Sequence, residues 1–291
     1  MKPAQDSRTA LLFLLPLLLT VLIFIAAPVA GTIVESFFRD VTFLPRRFLG
    51  VDNFRSLLAD RSFHQSVRFT LLFTFASVPL EVALGLIFAL VLNRPLPGRG
   101  LLRAAVLVPW AIPAAVSGRT FELIYNYSYG LANYLVLTLG VSEAPVNWLG
   151  SSYGAFASLV IADAWRTTPF VAIILLAGLS AIPDELYDQA TIDGATGLQQ
   201  FARVTLPLLK PVLTVALLFR TIDALRVFDV AYVITGGGPG GSTNALSLYG
   251  YQYFLSGDFG YGSAISVVLF ALALILSIFY VRLSGFGRVL T

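Results

Sequence analysis

The 291-residue sequence contains no cysteine and only one histidine, His64. The absence of cysteine excludes disulfides, thiolate metal sites and cysteine nucleophiles, and a single histidine excludes any metal site built from several histidines. Charged residues are also scarce, at 12% of the chain against ~25% in soluble domains. The chain is therefore poorly equipped for intrinsic acid–base or metal catalysis.

Apolar residues are what the sequence has in excess. They make up 57% of the chain, and the mean hydropathy is +0.82. A water-soluble globule of this composition would have too few polar residues to cover its surface, whereas lipid as the solvent removes that requirement. The net charge of +3 is small, and no nucleic-acid partner is expected. The composition predicts a membrane protein.

Six apolar segments are long enough to cross a bilayer, which takes ~20 residues per helix. We therefore expect an all-α fold, a polytopic membrane helix bundle with about six transmembrane helices that forms a single domain over residues 1–291. Pro109 and Pro113 are expected to kink the third helix, which membranes tolerate when neighbouring groups satisfy the freed carbonyls. The predicted spans are residues 9–34, 69–92, 101–117, 153–182, 207–227 and 261–281.

The first span has a competing interpretation as a secretory signal peptide. Lys2 and Arg8 precede it, and it ends in small residues. Its apolar run is, however, much longer than the ~7–15 residues of signal peptides. This length favours a retained transmembrane helix.

The segment after the first span, residues 49–69, places Phe54, Leu57 and Leu58 at helical spacing. This pattern predicts an interfacial helix on the outer surface, with His64 solvated or facing lipid headgroups. Arginine and lysine counts in short loops normally set orientation, but here they barely discriminate because this outer segment is itself basic. With its arginines at headgroup level, the remaining bias favours both termini in the cytoplasm.

A polar segment, residues 183–206, separates the fourth and fifth spans. Pro183 should end the fourth span, and a short helix should follow until Gly194 breaks it. A second short helix is expected to end at Thr205, before Pro207 starts the fifth span at a position where proline is tolerated. The polar segment is therefore expected to protrude from one side of the bundle as a helix–turn–helix element.

The polar segment resembles the EAA loop of ABC importer permeases, whose pattern is E-A-A-x-x-D-G-A, five residues, then F-x-x-I-x-L-P. The spacing is intact. Asp193, Gly194, Ala195, Phe201, Leu206 and Pro207 match, Asp188 and Gln189 stand for the Glu and the first Ala, Ala190 matches the second Ala, and Val204 replaces Ile.

The resemblance implies that the polar segment is a coupling helix. In that family the loop sits in a groove of a cytoplasmic ATPase subunit and converts closure of the ATPase dimer into movement of the membrane helices. The residues implied in ATPase coupling are Asp188, Gln189, Ala190, Asp193, Gly194 and Ala195. The segment would then face the cytoplasm, which agrees with cytoplasmic termini.

Other stretches resemble the carbohydrate-uptake, maltose/trehalose-type branch of these permeases. They are LGVDNFRSLLAD, RGLLRAAVLVPWAIPAAVSG and FDVAYVITGGGPGGST, and the similarity covers almost the whole chain. The resemblance implies a di- or oligosaccharide substrate, with a monosaccharide or glycerol-3-phosphate left open. Residues 236–241 would form a flexible external loop that meets a sugar-loaded binding protein.

The same resemblance implies an assembly in the inner membrane of a prokaryote. Its partners are a second permease subunit, two ATPase subunits and an extracytoplasmic sugar-binding protein. No cofactor or metal is expected on this chain, because ATP and Mg would be bound by the ATPase subunits. In agreement with this, the sequence has no G-x-x-x-x-G-K-[ST] motif.

Charges inside the predicted spans are the remaining candidates for a site. Asp163 and Arg166 lie three residues apart in the fourth span, and Arg220, Asp223 and Arg226 repeat that spacing in the fifth. We expect a network that pairs Asp163 with Arg220, or Arg166 with Asp223, either as a structural clasp, which is favoured, or to bind sugar hydroxyls. Aromatic candidates for stacking on a sugar are Trp110, Phe121, Tyr125, Trp165, Phe170, Phe228 and Tyr232.

An ion-coupled secondary transporter is the alternative from a different class. It would use Asp163 or Asp223 as a proton relay, but it leaves the polar segment unexplained. Glu81, the one charge within the predicted second span, carries no assigned role. An intramembrane enzyme is not supported by any nucleophile–base pair in the sequence.

Overall fold

The computed structural model describes residues 3–95 and 97–284, and most of them are helical. The helices are α1 (Pro3–Val21), α2 (Ala27–Glu35), α3 (Asp52–Ala59), α4 (Arg61–Asn93), α5 (Arg99–Ala111), α6 (Ala114–Ile124), α7 (Leu131–Thr138), α8 (Ser152–Ser180), α9 (Glu185–Ile192), α10 (Gly197–Gln200), α11 (Leu206–Leu225), α12 (Asp229–Thr235), α13 (Leu246–Leu255) and α14 (Phe259–Ser284). Two π-helical turns, Leu22–Ala26 and Phe201–Thr205, join α1 to α2 and α10 to α11. A two-residue antiparallel pair, β1 (Phe38–Arg39) and β2 (Arg47–Phe48), is the only sheet among the described residues.

Five helical stretches within the described residues are long and apolar enough to cross a membrane, and a bent helix pair raises the number to six. The five are Leu12–Glu35, Arg61–Asn93, Ser152–Ser180, Gly197–Leu225 and Phe259–Arg282. The prediction of an all-α membrane bundle with about six spans is confirmed.

The bent pair differs from the kinked helix predicted over residues 101–117. The chain turns by 87° between α5 and α6, which is a break and not a kink. Pro113 disfavours helical geometry at the residue before it, and Ile112 is accordingly extended, with ψ 132°. Because α5 ends at this point, α5 and α6 form either a broken span or a re-entrant loop.

The larger compact unit comprises residues 61–248 and the described part of the chain from 271 onward. Its two apolar clusters follow α4 and α8. One contains Phe73 and Leu159, and the other contains Val171 and Leu175. At Gly85 on α4 the two helices approach so closely that an added Cβ would lie 2.8 Å from Val171 Cγ1 and 3.1 Å from the backbone nitrogen of Ala172.

Replacing Gly85 with leucine should therefore force α4 away from α8. Overpacking of this kind costs ~1–3 kcal/mol, and we expect a lower melting temperature of the purified protein in detergent. Gly31 is the matched control, because it also lies in a helix but has no heavy atom within 4 Å of an added Cβ. Equal melting temperatures for Gly85→Leu and Gly31→Leu would contradict the close approach.

The smaller unit contains residues up to 60 and residues 249–270. Asn53 on α3 donates to the carbonyls of Ser36 (2.8 Å) and Phe38 (2.9 Å), which fixes the turn after α2. Asp60, at the end of α3, accepts hydrogen bonds from the hydroxyls of Tyr249 and Tyr261. Burial and the contact with Asp60 raise the pKa of Tyr249, so its phenol stays protonated.

The predicted interfacial helix corresponds to α3, but its apolar residues do not share one exposed face. Leu57 is buried, whereas Leu58 is exposed. Asp52 lies in the first turn of α3, where a carboxylate favours helix formation. His64 lies in the first turn of α4 and is exposed, in line with the prediction of a solvated or headgroup-facing side chain.

Residues 236–241, which the sequence predicts to be a flexible external loop, form a closed turn. The glycines supply the positive φ angles that the turn requires, from +57° at Gly240 to +90° at Gly237. The hydroxyls of Thr235 and Thr243 lie 2.7 Å apart across the base of the turn, and the amide of Gln65 donates to the Gly240 carbonyl at 3.3 Å.

Candidate functional site

The structure places Arg220 at the centre of a buried charge cluster. Its side chain, on α11, is only 2% exposed. Nε and Nη2 both donate to Glu81 on α4, with Nη2 3.0 Å from Oε1. Nη2 also donates to Asp163 on α8, and Nη1 donates to Asp223 Oδ2 at 2.8 Å. The guanidinium thereby joins three helices by charge-assisted hydrogen bonds.

Two further guanidiniums complete what we call the arginine cluster: Glu81, Asp163, Arg166, Arg220, Asp223 and Arg226. Arg166 Nη2 lies 3.8 Å from Asp163 Oδ1, and Arg226 Nη2 lies 3.5 Å from Asp223 Oδ1. The structure thus contains the predicted contact between Asp163 and Arg220. Arg166 approaches the carboxylate three residues away on its own helix, and not Asp223. The cluster contains three carboxylates and three guanidiniums; Glu81, Asp163 and Arg220 are its fully buried members, whereas Asp223 and Arg226 are exposed.

Glu81 was not assigned to a site from the sequence. The signal that could have found it is a single carboxylate in an otherwise uncharged span, since such a residue almost always faces the interior of the bundle. Sequence alone did not indicate which of the basic residues on α8 and α11 would pair with it.

Two cavities open next to the arginine cluster. A small one of about 60 Å³ is lined by Asp163, Arg166, Arg220, Asp223, Arg226 and Asp229, together with apolar neighbours. A larger cleft of about 360 Å³ is lined by four charged residues and three aromatic ones, Arg166, Arg220, Asp223 and Arg226 together with Trp110, Phe170 and Phe219. The rings of Trp110 and Phe170 are stacked, with centroids 5.6 Å apart and planes 22° apart. We refer to the larger space as the stacked-ring cleft.

The other aromatic candidates lie elsewhere. Phe121 and Tyr125 are buried in the apolar core, and Trp165 borders an apolar groove of about 480 Å³. Tyr232 on α12 is half exposed and stacks on Phe228, which lines the small cavity. Of the aromatic residues predicted from the sequence, Trp110 and Phe170 are the two that line the stacked-ring cleft together with its charged residues.

The described residues contain no candidate metal site. Within residues 3–95 and 97–284, no group of three or more His, Asp or Glu side chains is placed to hold a metal ion. The carboxylates of the arginine cluster are instead directed at guanidiniums. The chemistry available there is hydrogen bonding to polar groups, with the stacked rings as an apolar face.

The polar segment begins with α9. Leu186 and Tyr187 pack against the apolar core, and the Tyr187 hydroxyl lies 3.0 Å from Thr205 Oγ1. On the other side of α9, Asp188 and Gln189 are exposed. The helix is thus anchored along one face and presents the other, which is the arrangement of a docking element.

The turn after α9 is formed by Asp193, Gly194 and Ala195. Asp193 caps the helix, and Gly194 has φ +79°, a conformation that favours glycine. The Ala195 amide donates back to the carbonyl of Ala190, which is half buried, at 2.9 Å. All six residues implied in ATPase coupling therefore lie on one short, hydrogen-bonded corner.

The second half of the polar segment differs from the prediction. Thr196 caps α10 and exchanges hydrogen bonds with Gln199 in a capping box, so the chain is helical from Gly197 onward. The prediction of two separate helices is wrong, because helical geometry continues from Gly197 to Leu225. The predicted boundary is marked only by a change of helix type, since α11 begins at Leu206, one residue before Pro207. A π-helical turn precedes the proline: the Leu206 amide bonds to the Phe201 carbonyl, five residues back. The hydrogen-bond ladder is therefore already shifted where Pro207 has no N–H to donate.

Two large apolar side chains are exposed on this otherwise polar corner. Ile192 is 85% exposed and Leu198 is 78% exposed, one on each side of the Gly194 turn.

Comparisons with known proteins agree with this architecture. Residues 81–285 match the family model described as binding-protein-dependent transport system inner membrane component. The chain is 54% identical over 285 residues to the trehalose/maltose transport system permease protein MalF of Thermococcus litoralis, covering 98% of this chain and 96% of that protein. It is 39% identical over 281 residues to the sulfoquinovosyl glycerol transport system permease protein SmoG of Agrobacterium fabrum, covering 96% and 91%.

Solved structures show the same fold. A bacterial ABC transporter that imports the acidic polysaccharide alginate has a chain that matches with a TM-score of 0.83 at 24% identity, over 97% of both chains. A second structure of such a transporter, in complex with a periplasmic protein bound to an alginate pentasaccharide, matches with the same TM-score at 23% identity. The sequence-based assignment to the ABC importer permeases is confirmed, and the chain belongs to the family of binding-protein-dependent transport system inner membrane components, whose members are multi-pass membrane permeases and not catalytic subunits.

Proposed function

We propose that this chain is a membrane-spanning permease subunit of an ATP-driven importer for a di- or oligosaccharide of the trehalose or maltose type. The observation that carries the proposal is the 54% identity to the trehalose/maltose permease across 98% of the chain. The chain would form half of the translocation pathway, beside a second permease subunit. An extracytoplasmic sugar-binding protein would deliver the substrate, and two ATPase subunits, which bind ATP and Mg, would power transport.

In this proposal the polar segment is the coupling element. It would face the cytoplasm, with both termini of the chain on the same side. Its exposed residues Asp188 and Gln189, and the corner at Gly194, would contact an ATPase subunit, with Ile192 and Leu198 as apolar anchors. The anchoring of α9 through Tyr187 and the continuity of α10 with α11 support force transmission without local unfolding.

The stacked-ring cleft is the proposed site on the solute's path. A sugar presents a flat apolar face and a rim of hydroxyl groups, and the cleft offers both complements. The exposed face of Trp110 would stack on the ring, and Arg166, Asp223 and Arg226 would hydrogen-bond the hydroxyls. The stacked-ring cleft is also lined by Arg220, which binds Asp163. Tyr232 stacks on Phe228, which lines the small cavity beside the cleft.

An anionic glycoside or glycerol-3-phosphate is the second candidate substrate class. Arg166 has only a 3.8 Å contact with Asp163, so its guanidinium has donors to offer an anion. The 39% identity to a permease named for a sulfonated glycoside supports the same chemistry. A monosaccharide would also fit the cleft. The ion-coupled alternative is not retained, because the chain belongs to the binding-protein-dependent family.

The test is uptake by the whole complex in proteoliposomes, with its cognate binding protein outside and ATP enclosed. We expect accumulation of radiolabelled trehalose or maltose that requires ATP and that is insensitive to proton and sodium ionophores. Competition by unlabelled glucose and glycerol-3-phosphate ranks the alternative substrates. Uptake that a proton gradient drives without ATP would contradict the proposal.

A further inference from the structure

Glu81 is the most enclosed carboxylate of the arginine cluster. Its side chain is 0% exposed, and both of its oxygens are bound by Arg220, through Nε and Nη2. Two parallel N–H bonds to one carboxylate fix the plane of a guanidinium as well as its position. Glu81 therefore determines how the guanidinium of Arg220 is rotated.

The other edge of the same guanidinium faces the cavities. Nη1 of Arg220 donates to Asp223 at 2.8 Å, and Nη2 donates to Asp163. Arg220 and Asp223 both line the stacked-ring cleft, and Asp163 lines the small cavity beside it. Glu81 is not among the described residues that line either cavity. A carboxylate without access to solute thus fixes a guanidinium that has such access.

The backbone around Glu81 supports this role. Gly85, one helical turn later, allows α4 to touch α8 at Val171. This close approach holds α4 next to the helix that carries Asp163, so Glu81 and Asp163 both reach Arg220 on α11.

We propose that Glu81 is a positioning residue for translocation: it holds Arg220 in the orientation that keeps Asp163 and Asp223 in place at the walls of the two cavities. This inference rests on the proposed function, because it takes the stacked-ring cleft to lie on the solute's path. Without the carboxylate, Nε of the guanidinium loses its acceptor, and only the single bonds to Asp163 and Asp223 orient the group. The guanidinium can then tilt towards those two aspartates, which shifts all three side chains.

The decisive quantity is the number of solute molecules imported per ATP hydrolysed by the reconstituted complex. In Glu81→Gln the side chain keeps its size but offers one acceptor and an N–H₂ group that opposes an arginine N–H, so one of the two bonds is lost. We expect this ratio to fall at least ~10-fold, while ATP hydrolysis per complex stays within roughly a factor of two. A purely structural role would reduce the amount of complex recovered but leave the ratio unchanged.

Two variants accompany this one. Glu81→Asp keeps the charge but is one methylene shorter. Because it leaves Arg220 with a buried counter-charge, we expect it to assemble even if Glu81→Gln does not, and its ratio should also fall. Ser77→Ala is the matched control, because Ser77 is fully buried one turn earlier on α4 and its hydroxyl has no hydrogen-bond partner. Its ratio should equal that of the wild type.

A wild-type ratio in Glu81→Asp or in an assembled Glu81→Gln complex would overturn the inference. The ratio is measured with whichever of radiolabelled trehalose, maltose and glycerol-3-phosphate the wild-type complex accumulates. If it accumulates none of them, the proposed function fails on its own. A cryo-EM structure of the Glu81→Gln complex then still tests the inference: Arg220 unmoved and bonded to Asp223 would refute it, and a rotated guanidinium would support it.

Discussion

Replacing Arg220 with leucine is expected to prevent recovery of a stable protein. The change leaves the carboxylates of Glu81 and Asp163 buried without their shared partner, at side-chain exposures of 0% and 4%. Removing one partner of a buried ion pair costs ~3–5 kcal/mol, a large share of a typical folding free energy. The measurement is the melting temperature, and the yield of monodisperse complex, in detergent.

Arg226→Leu is the matched control for this prediction. Arg226 follows α11 directly and also contacts Asp223, but its side chain is 70% exposed and the contact is 3.5 Å long. Losing an exposed pair costs at most ~1 kcal/mol, so the control should assemble normally. A second check is to neutralise the orphaned groups as well, by combining Arg220→Leu with Glu81→Gln and Asp163→Asn, which should restore part of the stability. Equal stability of Arg220→Leu and Arg226→Leu would show that the cluster does not hold the helices together.

The second large effect is expected at the corner of the polar segment. Gly194 has φ +79°, which a β-branched residue adopts only under strain of ~1–3 kcal/mol. Gly194→Val should therefore reshape the turn between α9 and α10. Since an added Cβ at Gly194 meets no atom within 4 Å, the turn can relieve this strain by changing its own backbone. The melting temperature should therefore fall less than in Gly85→Leu, while transport falls at least ~10-fold.

Gly197→Ala is the control for the corner. Gly197 is the first residue of α10, also has open space around an added Cβ, and does not need a positive φ. Uptake and stimulated ATP hydrolysis by the reconstituted complex are compared for the two variants. Equal transport by Gly194→Val and Gly197→Ala would contradict a role for the corner in coupling.

The helices that the sequence predicts best are those whose ends are marked by local chemistry. The fourth span was expected at residues 153–182, and α8 covers Ser152–Ser180, because Ser151 caps its start and Pro183 lies just beyond its end. The helix α9 and the turn at Gly194 were likewise predictable, since acidic residues in its first turn and glycine after it are local signals.

The predicted helices differ most from the observed ones at two prolines, where the surrounding structure decides how the helix responds. The sequence gives the same signal for Pro113, where the chain turns by 87°, and for Pro207, where the helix continues through a π-helical turn. Proline removes one amide donor in both cases, but the neighbouring backbone decides whether the ladder breaks or shifts. No local pattern distinguishes these outcomes.

At the arginine cluster, too, local spacing was predictable from the sequence, whereas the contacts between helices were not. The spacing of Asp163 and Arg166, and of Arg220 and Asp223, indicated which residues share a helix face. The three-helix contact also depends on the pairing of Glu81 with Arg220 and on the close approach at Gly85, and both are properties of helix packing that no local sequence pattern specifies. Hence the sequence predicted a pair, whereas the structure contains a cluster.

The most direct test of the proposed function is to locate the polar segment in the assembled complex. Because the chain has no cysteine, a single cysteine at Gln189 or at Glu143, in the loop between α7 and α8, can be labelled without background. With a cysteine-reactive photocrosslinker, we predict that Gln189→Cys joins to an ATPase subunit and is protected from a membrane-impermeant maleimide added outside, whereas Glu143→Cys reacts from outside and joins to no ATPase. Labelling of Gln189→Cys from outside, or its failure to crosslink to an ATPase subunit, would contradict the account.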